Sequence, residues 1–210
     1  MILYDYGLSS ASYRVRIALA LKNLPYTSDI RNLRAGEHRV SEYLQINVQG
    51  LVPALGLDDG VVLTQSVAII EYLDELHPDP PLLPAEPLAR ARVRALTQAV
   101  ASDIHPINNL RILRYLEDKL SLDKDARDAW YRHWIGVGFD ALERWLTRDA
   151  ATGRFCHGDG PTIADICLVP QVFNARRFSV DLNPFPRIRA IDAACRELAA
   201  FSGTAPQLPP

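Results

Sequence analysis

Apolar positions follow different rhythms in the two parts of this chain. Ile2-Leu3-Tyr4 predicts a short strand, and Ser9 to Lys22 carries Val15, Ile17, Ala18 and Leu21 at helical spacing. Pro25-Tyr26-Thr27 restarts an extended segment, and Glu37 to Leu44 predicts a short polar helix. Val52-Pro53-Ala54-Leu55-Gly56-Leu57 and Val61-Val62-Leu63 flank Asp58-Asp59-Gly60, which predicts a hairpin with a glycine turn. Val67 to Leu76 predicts a helix with Ile69, Ile70, Leu73 and Leu76 on one side. The order β-α-β-α-β-β-α is that of a small α/β domain closed by an antiparallel hairpin.

His77-Pro78-Asp79-Pro80-Pro81-Leu82-Leu83-Pro84 interrupts this alternation. Proline removes donors and fixes φ, so neither a helix nor a central strand runs through it. Beyond it the period is helical. Val93, Leu96, Val100, Ile104, Ile107 and Leu110 recur at helical spacing, with a bend expected at Pro106. Trp130, Trp134, Val137, Ala141 and Trp145 form a second stripe, read as core. Residues 162–179 and 185–201 predict two more helices, and the end at Pro209-Pro210 reads as frayed. The expected fold class is α/β plus all-α, with an α/β domain over residues 1–80 and an all-helical domain over 86–210.

Composition narrows the function classes. The 25 acidic and 23 basic side chains leave a net charge of −2, so no basic excess is present to neutralise a phosphate backbone and no nucleic-acid partner is expected. No apolar run approaches the roughly 20 residues of a membrane span, so no membrane association is expected. The opening Met1–Asp5 has no basic segment leading into an apolar run, which makes a cytoplasmic protein the expectation. Cys156, Cys167 and Cys195 are odd in number and form no CxxC, which argues against a disulfide framework and a zinc site. No metal is expected.

The candidate chemistry begins at Ser9-Ser10-Ala11-Ser12, three hydroxyls between a strand and the first turn of a helix. One serine in that setting is an N-cap. A hydroxyl beside the positive end of the helix dipole also favours an anion there, for example a thiolate. The stretch Ser9-Ser10-Ala11-Ser12-Tyr13-Arg14-Val15-Arg16-Ile17-Ala18-Leu19 resembles the signature of zeta-class glutathione transferases, which include maleylacetoacetate isomerases and bacterial maleylpyruvate isomerases. Gln49 to Leu55, Gln65 to Leu73, Asp103 to Asn109 and Ala164 to Val172 resemble the same class, and the last two favour its bacterial branch.

The resemblance implies a thioredoxin-like N-terminal domain that binds glutathione. Val52 would pair its backbone with the cysteinyl unit, with Pro53 cis. Gln65 and Ser66, entering the third helix, would hold the γ-glutamyl carboxylate. His38 and Gln49 would reach the glycyl end, although His38 taken alone reads as a solvated helix residue. Ala11, His105 and Asn109 complete the implied cofactor contacts. Ser9 is assigned to the thiolate, with Ser10 as a second donor or the cap. Several family members carry cysteine where this chain has Ala11. Thr162-Ile163-Ala164-Asp165 has capping-box spacing, with Pro161 and Ile166 placed as a staple, and is read as structural.

By resemblance the activity is cis–trans isomerisation of a maleyl-type keto acid, such as maleylpyruvate or maleylacetoacetate, in aromatic-compound catabolism. Thiolate addition, bond rotation and elimination would regenerate glutathione. Such substrates are dianions, and Arg111 and Arg176 match arginines of the bacterial branch. Leu8 stands where most of the family carries arginine, and Leu110 replaces another basic residue, which points to a less anionic substrate or a different pose. Conjugation, dehalogenation or peroxide reduction by the same thiolate is the alternative. A noncatalytic binding protein is a third reading, against which Ser9 and Ser10 both speak. The family is usually dimeric, so a homodimer is expected, with Asn108 and Asn109 serving glutathione from either subunit.

Overall fold

The computed structural model of the chain describes residues 1–207. The expected fraying at Pro209-Pro210 lies outside these residues. The chain divides into two compact units, Met1–Leu82 together with the segment from Leu198 on, and Leu83–Glu197.

In the first unit, β1 (Ile2–Asp5), α1 (Ser10–Leu21), β2 (Thr27–Ile30), α2 (Ser41–Ile46), β3 (Ala54–Gly56), β4 (Val62–Thr64) and α3 (Ser66–Leu76) follow one another as the apolar pattern predicts. The sheet order is β2-β1-β3-β4, parallel between β1 and β2 and antiparallel elsewhere, which is the expected thioredoxin-like arrangement. Register places Tyr4 beside Ala54 and Ala54 beside Thr64. The end of β1, the start of β3 and the end of β4 therefore share one edge of the sheet.

The helix over Glu37 to Leu44 is two pieces, a 3-10 turn at Glu37–Arg39 and then α2. Val40 between them has extended backbone, as suits a β-branched residue with weak helix preference. Helix α1 is not one-sided. Every residue from Ser12 to Leu19 is buried, because α3 and the short helix α9 (Ala199–Ser202) also pack on it.

The domain boundary expected at 80/86 shifts, and the chain's end changes sides. Lys22 Nζ donates to Asp74 Oδ1 at 2.6 Å and to the carbonyls of His77 and Pro80, and Asp74 Oδ1 accepts from Leu82 N–H. These bonds hold the proline-rich connector to the first unit. At the other end, Tyr13 Oη donates to the Phe201 carbonyl at 2.7 Å, and the Phe201 ring is fully buried. The predicted helix over 185–201 is accordingly split into α8 (Pro186–Arg196) and α9.

The second unit holds α4 (Pro87–Gln98), α5 (Leu110–Asp118), α6 (Lys124–Arg148), α7 (Ile163–Arg177) and α8. The chain around Pro106 is broken rather than bent. A wide π-type turn at Ala99–Ile104 and a 3-10 turn at Pro106–Asn108 separate α4 from α5. Proline has no N–H to continue the ladder, and Asn109, with extended backbone, restarts the helix by accepting from Arg111 N–H.

The aromatic stripe on α6 is out of phase with its buried face. Tyr131, Ile135, Phe139, Leu142 and Leu146 are buried, whereas Val137 is 51% and Trp145 37% exposed. Two stripes interleave at helical spacing, and tryptophan bulk marks the outer one. Ala141 and Trp145 line an open surface groove with Arg144 and Arg148, and Trp130 is half-buried with its indole N–H on the Ile107 carbonyl. A Cβ on Gly138 would come within 2.3 Å of Ile104, so the absence of a side chain there lets α6 lie close against the Ala99–Ile104 turn.

At the start of α7 the structural reading of the capping box holds. Asp165 is wholly buried and accepts from Thr162 N–H at 2.8 Å, Thr162 Oγ1–H at 2.9 Å and Cys156 N–H at 2.7 Å. Burial pushes its carboxyl above the usual range against the pull of these bonds.

Candidate functional site

Three chain entries meet along the shared sheet edge. After Tyr4 the chain turns into Ser9 and α1; before Ala54 lies Val52-Pro53; after Thr64 come Gln65 and α3. Each entry presents different chemistry.

Ser9 is the N-cap of α1. Its Oγ accepts from Ser12 N–H at 3.2 Å, and its own N–H closes the turn on the Tyr6 carbonyl at 2.8 Å. The capping and chemical readings of this serine coexist. A hydroxyl that accepts through oxygen keeps its proton for donation, and the amides of a first turn have no acceptor within the helix. Ser9 is half-buried and Ser10 buried, with Ala11 and Leu8 partly exposed beside them.

The Val52–Pro53 peptide is cis. Pairing between β1 and β3 begins at Ala54, so the Val52 peptide lies outside that ladder and has strand-like polar groups to offer a ligand. The approach to Val52 is held from both sides. Tyr43 Oη and Asn47 Nδ2 both donate to the Leu51 carbonyl, at 2.7 and 2.8 Å. Gly50 has φ +56, and a Cβ there would stand 3.0 Å from the His38 carbonyl. Burial pushes the Tyr43 phenol up to about 12, so it stays a donor to Leu51.

His38 is not solvated. It is 5% exposed, and its Nε2 accepts from Arg39 Nε at 3.4 Å.

Gln65 has φ 69 and ψ 112, a strained backbone for a residue with a side chain. It stands at the N-cap of α3 without capping it. Its Nε2 donates instead to Gln49 Oε1 at 2.9 Å, joining two of the expected glycyl and γ-glutamyl contacts. Ser66 is the first helical residue rather than the cap, and its Oγ accepts from Arg14 Nη1 at 3.3 Å. The first turn of α3 thus presents uncapped amides, a hydroxyl and a guanidinium behind it, which suits a carboxylate.

The sequence reading passed over Arg14 and Arg16. Two arginines interleaved with Tyr13, Val15 and Ile17 in an otherwise apolar run to Leu19 were the available signal.

In the second unit, Asn109 Oδ1 is occupied in capping α5, at whose first turn Arg111 is exposed. His105 precedes the Pro106–Asn108 turn, its N–H on the Val100 carbonyl at 3.0 Å. Arg176, in the last turn of α7, donates through Nη2 to Asp192 Oδ2 at 2.5 Å. Asp192 is 1% exposed, so this arginine has a structural partner, while its Nε and Nη1 remain beyond that bond.

The protein's own thiols are poorly placed to act. All three cysteines are buried, and burial pushes the Cys156 and Cys195 thiols well up, which keeps them protonated. Among the described residues no acidic, histidine and cysteine cluster could hold a metal, and no helix is long and apolar enough to cross a membrane.

This fold is shared with a known group of proteins. Residues 8–76 match the glutathione S-transferase N-terminal domain and residues 128–202 the glutathione S-transferase C-terminal domain. The chain belongs to the glutathione S-transferase family. A maleylpyruvate isomerase of Ralstonia sp is 52% identical, over 100% of this chain and 99% of its own length. The holo structure of a maleylpyruvate isomerase described as a bacterial zeta-class glutathione transferase superposes with a TM-score of 0.96 at 52% identity, covering 98% of this chain and 97% of that one. A maleylacetoacetate isomerase from Methylobacterium extorquens AM1, solved with malonate and glutathione, gives 0.97 at 38% identity, covering 100% and 98%. The resemblance to zeta-class isomerases drawn from the motifs is thereby borne out.

Proposed function

We propose that the protein is a glutathione-dependent cis–trans isomerase that converts a maleyl-type keto acid, maleylpyruvate or maleylacetoacetate, to its fumaryl isomer. The observation that carries this reading is identity of about half the residues, end to end, to a maleylpyruvate isomerase, together with a sheet edge whose parts suit a γ-Glu-Cys-Gly tripeptide.

Bound glutathione supplies the sulfur that adds to the double bond and departs after rotation. Ser9 donates a hydrogen bond from its hydroxyl to the thiolate and, with the α1 N-terminus, favours the charged form at neutral pH. Ser10 and Ala11 line the same turn. Val52 pairs its peptide with the cysteinyl unit, as an added strand would. Ser66 and the first turn of α3 take the γ-glutamyl carboxylate, with Gln65 set beside them by its unusual backbone. Gln49 and His38 serve the glycyl end. His105 and Asn109 are assigned to the cofactor from the helical domain, and Arg111 and Arg176 to the carboxylates of the electrophile, with Leu8 facing it. The protein is assigned to the cytoplasm and to a homodimer. A sedimentation experiment showing only a 23.4 kDa species at working concentration would remove the dimer.

The test supplies glutathione with either maleyl compound and follows the enedione absorbance. Turnover with glutathione recovered unchanged is expected. Tight glutathione binding without turnover of either compound, or glutathione consumed in step with product, would move the protein to conjugating, dehalogenating or peroxidase chemistry.

A further inference from the structure

Arg16, in the second turn of α1, is 8% exposed, and its guanidinium reaches three separate stretches of chain. Nη1 lies 2.7 Å from both carboxylate oxygens of Asp5, the last residue of β1. Nη2 donates to the Gly7 carbonyl at 3.1 Å, inside the turn that ends at Ser9. Nε donates to the Thr204 carbonyl at 3.1 Å, in the segment that returns from the far end of the sequence. The three donor nitrogens of the guanidinium are spread over a rigid fork, whereas an ammonium donates from a single point, so lysine could keep the charge beside Asp5 but not also reach the Gly7 and Thr204 carbonyls.

A second attachment runs in parallel. Tyr13 lies three residues before Arg16 on α1, with its ring 5.5 Å from the Arg16 guanidinium carbon. Its hydroxyl donates to the Phe201 carbonyl, as described above. The returning segment is therefore tied to α1 by two side-chain donors, and one of those donors also holds the carbonyl two residues before Ser9. The turn's own closure is the backbone bond from Ser9 N–H to the Tyr6 carbonyl. Arg16 adds to that closure a side-chain hold on the Gly7 carbonyl, which helps keep the Ser9 hydroxyl at a fixed distance from its target.

We propose that Arg16 is a positioning residue for the Ser9 turn, and that the segment from Leu198 on is the second jaw of the clamp that holds it. The chain's end sets how firmly the Ser9 hydroxyl is aimed. The chemical consequence rests on the assignment of Ser9 to the glutathione thiolate; the mechanical coupling rests on the hydrogen bonds alone.

The test compares full-length wild type with Arg16→Lys and Tyr13→Phe. Tyr13→Phe keeps the buried ring and leaves the Asp5 ion pair intact, which guards against a failure of Arg16→Lys to fold. Three quantities are read: backbone hydrogen exchange by segment, the pH titration of bound glutathione thiolate by its ultraviolet absorbance, and kcat against KM for glutathione. Both variants are expected to speed exchange in the terminal segment and in residues 6–12 together. They should also raise the thiolate pKa and lower kcat about tenfold in Arg16→Lys while KM changes little, since small displacements of a reacting group are costly. Faster exchange confined to the terminal segment, with the turn and the thiolate titration as in wild type, would overturn the proposal. Coupled exchange in a wild-type protein that holds no thiolate would support the clamp and remove the Ser9 assignment instead.

Discussion

Arg14 Nη1 donates to Ser66 Oγ at 3.3 Å, placing a buried guanidinium directly behind the first residue of α3. Because the serine oxygen accepts from arginine, its own proton is left to donate elsewhere, and a carboxylate at the helix start would meet hydroxyl, amides and positive charge together. Ser66→Ala should therefore raise KM for glutathione about tenfold or more, the value of one hydrogen bond to a charged group, with kcat nearly unchanged. Isothermal titration and steady-state kinetics check this. A fall in kcat at constant affinity would place Ser66 at the reacting centre instead.

The capping role of Ser9 and the thiolate role proposed for it can be separated by substitution. Ser9→Ala removes both hydroxyl and cap, with a cap loss of about 1 kcal/mol, whereas Ser9→Gly costs the cap only a few tenths. Both should depress turnover about equally, and far more than glutathione binding, while only Ser9→Ala lowers the melting temperature appreciably. If activity instead tracks stability across the two variants, the serine is a cap and nothing more.

Asp165 serves folding. It accepts from two backbone amides and a hydroxyl in a fully buried position. Asp165→Ala leaves those donors unpaired and should cost about 3 kcal/mol of stability. Denaturant unfolding reads the loss; kcat per folded molecule should match wild type.

Leu8→Arg should tighten binding of a dicarboxylate substrate, by about the 1.5–3 kcal/mol of a charge-assisted hydrogen bond. Substrate KM at saturating glutathione is the measurement. An unchanged or higher value would mean that this side chain never faces the substrate's carboxylates.

The Arg92–Asp149 pair gives the second unit a signature in acid. The Arg92 hydrogen bond, with support from the Ala151 amide, holds the Asp149 carboxyl below its ordinary value. A depressed carboxylate stabilises the fold above the unfolded pKa, and that contribution is lost as pH falls through the lower folded value. Arg92→Met should be less stable than wild type at neutral pH, and the gap should narrow on acidification below the usual aspartate range. Melting temperature against pH for the two proteins tests it; a constant gap would mean that Arg92 acts through its other partners, Cys156, Thr152 and His157.

Residues 1–76 were largely legible because most of their elements announce themselves locally, by a strand-length apolar run, a helical spacing or a glycine turn. The hydroxyl cluster was legible for the same reason, lying within a few residues of one helix start. What stayed hidden is what needs distant chain. Nothing near Arg14 or Arg16 says that their partners are Ser66 and Thr204. Nor does local pattern place Gln65 at φ 69, since the residue type gives no hint of it. On α6, Trp145 and Leu146 are neighbours with equal claims to the core, and only the packing of the unit decides for Leu146. The cis geometry at Val52–Pro53 came from the motif resemblance, whereas the second cis bond, Asp79–Pro80, had no motif to signal it.

A unit made of Met1–Leu82 and the segment from Leu198 on is discontinuous in synthesis as well as in sequence. When the ribosome has delivered the whole sheet and its helices, the carbonyls that Tyr13 and Arg16 hold have not yet been translated. The unit that carries the Ser9 and Ser66 helix starts is therefore completed only once translation has passed Phe201 and Thr204.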